Sequence, residues 1–384
     1  MEAFCCSLEV PAESLQIYIM LRSHIERGMD MGEQFQIEEF RKIQLTGKAS
    51  YLVYLPKKWV AGQGLKQGDQ LAIRTLGNSS LLLVPKSVLQ ETRVKEKKKA
   101  NIAISSADDP QSIVRKVISS YLVGYTLIRV YSKENHIASA QRTTIKDTLR
   151  RKLTGAEIVS EDSNEIVMQI LTSHPELTVE DAIRRMFIIT SSMHRDAFAA
   201  LKNLDKGLAQ SVISVDDEVD RFHLHVVRQL KAAIQNYRLV EEIGIDNPRE
   251  FLGYRLAINN VERIADLAVK IAKNILTMEK PVDDELYERI FKFHALANKL
   301  LGDSMTALLK RDYKLADNIV ARCGETMFLE EEIADIILSQ YLSPKEISSL
   351  RLILDSSARV LEYIESIAEV TLNRAIETIF QKTQ

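Results

Sequence analysis

The chain has 384 residues, 46% of them hydrophobic and 27% charged, with a formal net charge of −2. That length fits two or three domains with ample core, and no run approaches the roughly 18 apolar residues of a membrane span. Three cysteines, Cys5, Cys6 and Cys323, give no disulfide framework and suit a reducing cytosol, so a cytoplasmic protein without an integral membrane segment is expected.

Residues 1–36 lack the apolar core of a signal peptide, IYIMLRSHI being too short and too interrupted. They read as an extension, or as the product of a start assigned too early, and no function attaches to them. The next stretch, 41–71, is RKIQLTGKASYLVYLPKKWVAGQGLKQGDQL. It holds Arg41, Lys42, Lys48, Lys57, Lys58 and Lys66 and no acid before Asp69. In a nearly neutral protein this concentrates positive charge on one small module, the footprint of a phosphate-backbone binder, although charge alone also fits a plain solvated face. Gly47 marks a bend, 51–55 reads as a strand, Pro56 opens a short helix, Gly68-Asp69 makes a turn and 70–75 begins another strand. Strand, LPKKW, GLKQGDQL, strand resembles the AbrB/SpoVT swapped-hairpin DNA-binding domain from residue 41 to about residue 85. The resemblance implies two chains interleaving their hairpins into one barrel, with paired basic loops gripping DNA. Arg41, Lys42, Lys48, Lys57 and Lys58 are the candidate DNA contacts, mostly to phosphates, which position a protein without specifying sequence.

Residues 88–109 read as a charged linker ending near Lys97-Lys98-Lys99. A compact α+β segment is expected over 110–175: a helix at 113–121, a strand at 126–130 after Gly124, a helix at 144–153, and strands around 157–159 and 166–170. Arg142, Lys146, Arg150 and Arg151 form a basic helical face, the usual sign of a wet surface.

Beyond residue 180 the strand signals vanish, and 3.6-residue periodicity predicts six helices at about 178–204, 206–240, 248–279, 283–311, 313–341 and 344–381. They form a repeat. DAFAALKNLDKGLA from Asp196 matches DSMTALLKRDYKLA from Asp303, and NVERIADLAVKIA from Asn260 matches VLEYIESIAEVTL from Val360. Two three-helix bundles follow, at 176–281 and 282–384, with a longer loop around 236–249 in the first.

The second helix of the first bundle buries a seam through Val212, Val215, Val219, Phe222, Val226 and Ala233. Asp216, Asp220 and His223 lie on one line beside that seam. On the third helix Glu262 and Asp266 flank the seam Ile258, Val261, Ala265, Ala268, Ala272, Ile275 in the same way. Like charges one turn apart repel, and two such pairs at the edge of a core call for a cation. A divalent or trivalent metal on Asp216, Asp220, Glu262 and Asp266 would supply it, with His223 as a further nitrogen ligand. In the second repeat Cys323, Met327 and Ser366 stand where Asp216, Asp220 and Asp266 stand in the first, and only Glu362 keeps its charge. A site present in the first bundle and lost from the second is expected.

VERIADLAVKIA at 261–272 resembles the E-R-I-G-D-H-A-x-N-I-A signature of PhoU proteins, and Asp216 to Asp220 resembles the D-x-x-x-D partner signature. Ala265 departs from that pattern in place of Gly, and Leu267 in place of His. The resemblance covers about 178–384. It implies two tandem three-helix bundles, a multinuclear iron or zinc cluster on the acidic face, and a role in phosphate uptake. An AbrB-like domain ahead of PhoU looks like the archaeal arrangement of the family. The sequence thus predicts an α+β multidomain protein with a swapped-hairpin β-barrel at 37–87, a small α+β middle domain and an all-α pair of bundles. Its expected function is a dimeric DNA-binding regulator of phosphate homeostasis. The rival is an adaptor acting on a phosphate transporter or signalling protein without DNA. A ferritin-like oxidase would need Glu-x-x-His motifs on two helices, where Asp220-x-x-His223 imitates only one. Nothing resembles a nucleotide loop, a nucleophile–base pair or a catalytic triad, so a non-enzyme is expected.

Overall fold

The computed structural model describes residues 40–46, 50–75, 80–87, 98–134, 136–171, 177–235, 238–245 and 247–381, and divides into two compact units, one within residues 1–95 and one within 96–384. The first unit holds two antiparallel hairpins and a short helix. Strands β1 (Gln44–Thr46) and β2 (Ser50–Leu52) pair with Leu45 opposite Tyr51. Pro56 caps α1 (Lys57–Gly62), as its fixed φ and missing N–H favour. Gly64 and Gly68 then adopt φ of 65° and 95°, which only glycine takes freely. Asp69 accepts the Lys66 N–H at 2.7 Å, closing the turn into β3 (Leu71–Thr75), which pairs with β4 (Leu81–Pro85).

The second unit begins with a four-stranded sheet, order β5-β6-β8-β7. Strand β5 (Lys99–Ile104) runs parallel to β6 (Leu127–Ser132). Strands β7 (Ala156–Glu161) and β8 (Glu165–Ile170) complete the sheet in antiparallel fashion. The expected linker is therefore shorter than 88–109, because Ala100, Ile102 and Ile104 alternate inward and make an edge strand. Helix α2 (Pro110–Val123) starts where Asp109 accepts the Ser112 N–H at 2.9 Å and ends at Gly124, φ 101°. Helix α3 (Ser139–Lys152) is longer than predicted and ends in Arg150, Arg151 and Lys152, cations that favour a helix C-terminus. Ile113, Val117, Tyr121, Ile145 and Leu149 from these helices meet Ile104, Ile128, Val130, Ile166 and Met168 in one core.

The predicted helices follow. The first bundle comprises α4 (Val179–Asn203), α5 (Lys206–Gln235) and α7 (Glu250–Thr277), with a short α6 (Arg238–Glu242) in the longer loop, where the periodicity predicts α5 running on to 240. The second comprises α8 (Asp284–Lys310), α9 (Tyr313–Ser339) and α10 (Pro344–Gln381). The repeat is kept to the level of single residues. Leu204 and Arg311, at equivalent positions, both end their helices in the left-handed region, φ 50° and 52°. Each is followed by an aspartate cap: Asp205 accepts the Leu208 N–H at 2.9 Å and Asp312 the Leu315 N–H at 3.1 Å. Helices α4 and α8 cross where the equivalent residues Ser191 and Asn298 hydrogen-bond, Oγ to Oδ1, at 3.0 Å.

Helices α7 and α10 pack against each other and fuse both bundles into one hydrophobic core. Gly253 permits the approach: a Cβ there would lie 3.2 Å from both Arg374 Cδ and Val370 Cγ1. The space is used by Arg374, whose Nη2 donates to Glu250 at 2.6 Å and to the Tyr254 hydroxyl at 2.8 Å, while Nη1 donates to the Leu308 carbonyl at 3.2 Å. Tyr254 in turn donates to Glu180 at 2.7 Å, tying α4, α7 and α10 together. Arg374 is nearly enclosed, and breaking one side of a buried pair strands the other charge. Arg374→Met should lower unfolding free energy by about 3 kcal/mol in urea at neutral pH; a loss within experimental error would show that Arg311, 3.0 Å from Glu250, suffices alone.

Candidate functional site

The candidate site residues lie in two places. In the hairpin unit Arg41, Lys42, Lys57 and Lys58 are all exposed, the last two in the first turn of α1, while Lys48 lies outside the described residues. The same unit exposes large apolar groups, with Phe40 at 93% and Tyr51 at 75%, together with Ile43, Leu45, Val53, Tyr54, Ile73 and Leu81. Among its described residues only Pro85 is buried. Two hairpins with so little enclosed surface among their described residues are marginal by themselves.

The second place is the acidic line between α5 and α7. Val212, Val219, Val226 and Ala233 are buried as the seam required, Val215 and Phe222 are only half-buried against it, and Ile258, Val261, Ala265, Ala268, Ala272 and Ile275 are buried. With both seams inward, Asp216, Asp220, Glu262 and Asp266 come to the shared rim as half-buried groups. They act on one another. Burial, then the charges of Asp220, Asp266 and Glu262, push the Asp216 carboxyl up to about 7. Burial and Asp266, with Asp220 beyond the opposing Arg263, push Glu262 to about 7 as well. Asp266 is raised by burial and by Asp220. The fold thus brings the four predicted carboxylates within electrostatic reach of one another along the groove between α5 and α7.

The cation that answers them was not expected. Lys152, the last residue of α3, places Nζ 2.6 Å from Asp220 Oδ2 and 3.6 Å from Asp217 Oδ1, and Arg151 Nη1 lies 3.2 Å from Asp217 Oδ2. Burial works against the Lys152 ammonium, but the hydrogen bond and charge of Asp220, with Asp217 and Asp216, hold its pKa above the usual value. The basic face of α3 is therefore largely committed rather than merely wet. Arg142 and Lys146 pair with Glu161 at 2.7 and 3.0 Å, and Arg151 and Lys152 dock the α+β domain on α5. Arg228 of α5 adds a bond to the Tyr121 carbonyl and lies over the Tyr121 ring. On the far side Asp266 pairs with Arg263 at 3.7 Å.

His223 does not join the carboxylates. Its Nε2 faces Arg255 Nη1 at 3.2 Å, and burial with the Arg255 charge lowers its pKa to about 4. A neutral ring accepting from arginine has no lone pair to spare for a metal. As a donor set, the four carboxylates are hard oxygen ligands that suit hard divalent or trivalent cations, ferric iron better than borderline-soft zinc. Their spacing is another matter: among the described residues no three His, Cys, Asp or Glu side chains gather closely enough to hold a metal ion. The equivalent rim in the second bundle is closed. Cys323 is buried, its thiol pushed up to about 12 by burial; Met327 packs on the core; and Ser366 accepts from Asn260 Nδ2 at 2.9 Å.

Comparison with known proteins falls on the same two places. The PhoU domain family matches residues 183–275, which is the bundle that keeps the acidic residues. The family described as antidote-toxin recognition MazE, bacterial antitoxin, matches residues 44–90. The phosphate-specific transport system accessory protein PhoU homolog 1 of Thermotoga maritima is 23% identical over 192 residues, 49% of this chain and 81% of its own. The PhoU homolog of Borreliella burgdorferi is 30% identical over 128 residues, 31% of this chain and 54% of its own. Among solved structures, PhoU from Streptococcus pneumoniae aligns at 18% identity with a TM-score of 0.45, over 50% of this chain and 91% of that one. PhoU from Pseudomonas aeruginosa aligns at 20% with a TM-score of 0.44, over 50% and 93%.

The raised carboxyls fix a sign for pH dependence. Folded Asp216 and Glu262 keep protons to about pH 7 that the unfolded chain sheds near pH 4. Their contribution is therefore favourable at low pH and is lost as pH rises through 7. In EDTA, Asp216→Asn and Glu262→Gln should each raise stability by about 1–2 kcal/mol at pH 8, with no gain below about pH 4. Thermal unfolding across that range checks it, and a gain confined to acid would reverse the assignment.

Proposed function

We propose that this chain, which carries a PhoU domain behind an N-terminal MazE/AbrB-like domain, is a dimeric regulator of phosphate uptake that binds DNA through its hairpin unit. One observation carries the reading: the bundle with the acidic groove shares a chain with a basic hairpin unit whose described residues bury almost no core. The relatives are named for phosphate-specific transport, which supplies the physiological setting. Phe40, Leu45, Tyr51 and Tyr54 supply the reason for a second copy, because interleaved hairpins would bury what one copy exposes. Arg41, Lys42, Lys48, Lys57 and Lys58 would then come in duplicate, facing phosphates. In this reading Asp216, Asp220, Glu262 and Asp266 hold iron or zinc, which when bound supplies the positive charge the groove lacks. A second reading rests on the MazE match: the hairpin unit grips a protein partner, as an antitoxin does, and the helical bundles act as an adaptor.

The chain should sediment as a dimer, and Leu45→Asp with Tyr51→Asp should leave a monomer whose helical content is unchanged. A monomeric parent protein would remove the basis for the paired basic loops. In gel shifts on DNA upstream of phosphate-transport genes, log affinity should fall with log salt, and Lys57→Ala with Lys58→Ala should flatten the slope by roughly 0.9 for each phosphate that is no longer neutralised. Unchanged affinity and slope would move the DNA face elsewhere, and absence of any shift would favour the protein-partner reading.

A further inference from the structure

The two copies of the helical repeat use one outward face differently. In the first copy α5 receives the α+β domain there, with Asp217 on Arg151, Leu224 against that domain's core and Arg228 on Tyr121. The repeat sets Gly324, Glu331 and Asp335 of α9 at those positions, and Phe328 at that of Arg221. All four are exposed, Phe328 by 75%. Glu325, Glu331 and Asp335 surround the ring, and among the described residues none of these acids forms an ion pair. An exposed apolar group with a charged rim marks a contact surface. A face of the opposite sign lies on the first copy. Arg184, Arg185 and Arg195 of α4 and Arg221 of α5 have no carboxylate partner among the described residues, and Arg185 and Arg221 lie instead over the Phe222 ring. Ile188 stands between them, 54% exposed. We propose that the α4 face of one chain docks on the α9 face of a second copy.

The spacing of the two faces agrees. On α4 the order Arg185, Ile188, Arg195 steps by three and then seven residues, and on α9 Glu325, Phe328, Asp335 takes the same steps. Such steps stay on one side of a helix. Helices laid in the same direction would therefore set arginine on glutamate, isoleucine on phenylalanine and arginine on aspartate over about 15 Å. Glycine inside a helix is unfavourable, yet Gly324, level with Arg184 in this register, has open space where a Cβ would stand. That space admits the longer side chain. Like faces repel: α9 on α9 sets acid on acid, and α4 on α4 sets arginine on arginine, so the charges select the heterologous pairing. One helix pair buries little area, and the contact is accordingly weak and sensitive to salt. It strengthens wherever the chains are already held together, because tethering raises the effective concentration.

The test mixes two full-length chains, Ile188→Cys and Phe328→Cys, each also carrying Cys5→Ser and Cys6→Ser, under mild oxidation in low salt. A disulfide between the two chains should form at least roughly tenfold faster than in either chain alone, and high salt should remove the difference. Arg185→Glu with Arg195→Glu in the first chain should remove it as well, and adding Glu325→Arg with Asp335→Arg to the second should restore it. That recovery separates lost pairing from lost folding. Equal rates in mixed and unmixed samples would overturn the proposal and leave the arginine face to a polyanion. Loss without recovery would overturn it too, since the two faces would then answer to different partners. Sedimentation in high salt reports the hairpin dimer by itself, so that reading and this one fail separately.

Discussion

Like charges forced onto one rim need a counter-charge, and much of this molecule is arranged around that need. The apolar seams of α5 and α7 must face inward to close the first bundle, and the carboxylates one position round from each seam are carried to the same edge. The repulsion is a by-product of good packing. Lys152 relieves part of it, and in doing so joins a separately cored α+β domain to the bundle. Helix α7 is central because it does two jobs on opposite faces. One face lines the groove, while the other meets α10 through Gly253, Arg374 and the core. A disturbance at the groove is thus one helix diameter from the contact between bundles.

The two copies show what happens when the constraint is lifted. With three of the four acids gone, the equivalent surface has little need of a cation. A thiol is buried, a methionine fills space, and a serine satisfies Asn260 across the bundle contact. The second copy packs α10 against α7, behind the helix face that carries Glu262 and Asp266. Strongly unfavourable groups persist only where their surroundings over-determine them.

The helical half was legible because burial on a helix leaves a periodic trace. The repeat was legible because both copies must solve the same packing problem. Strand β5 was missed since lysines at its entry mask a short inward alternation, which an edge strand can tolerate. Lys152 left no local signal at all: its partner Asp220 is 68 residues away, and a cation at a helix end already has a sufficient local explanation. His223 shows the converse case. Its spacing placed it correctly on the line of Asp216 and Asp220, but only the fold reveals Arg255 claiming its lone pair.

The paired left-handed corners at Leu204 and Arg311 have one more consequence. Each residue holds a conformation that costs a side chain roughly 1–2 kcal/mol, and neither is glycine, the residue for which it would cost nothing. A corner this tight acts like an index mark on a shaft. It sets the rotational phase at which the next helix leaves, and each added residue would advance that phase by about 100°. Asp216 and Asp220 look toward α7 because α5 leaves its corner at the right angle. The azimuth of the groove thus has to agree with a corner set well upstream of the first charge in it, at a left-handed leucine.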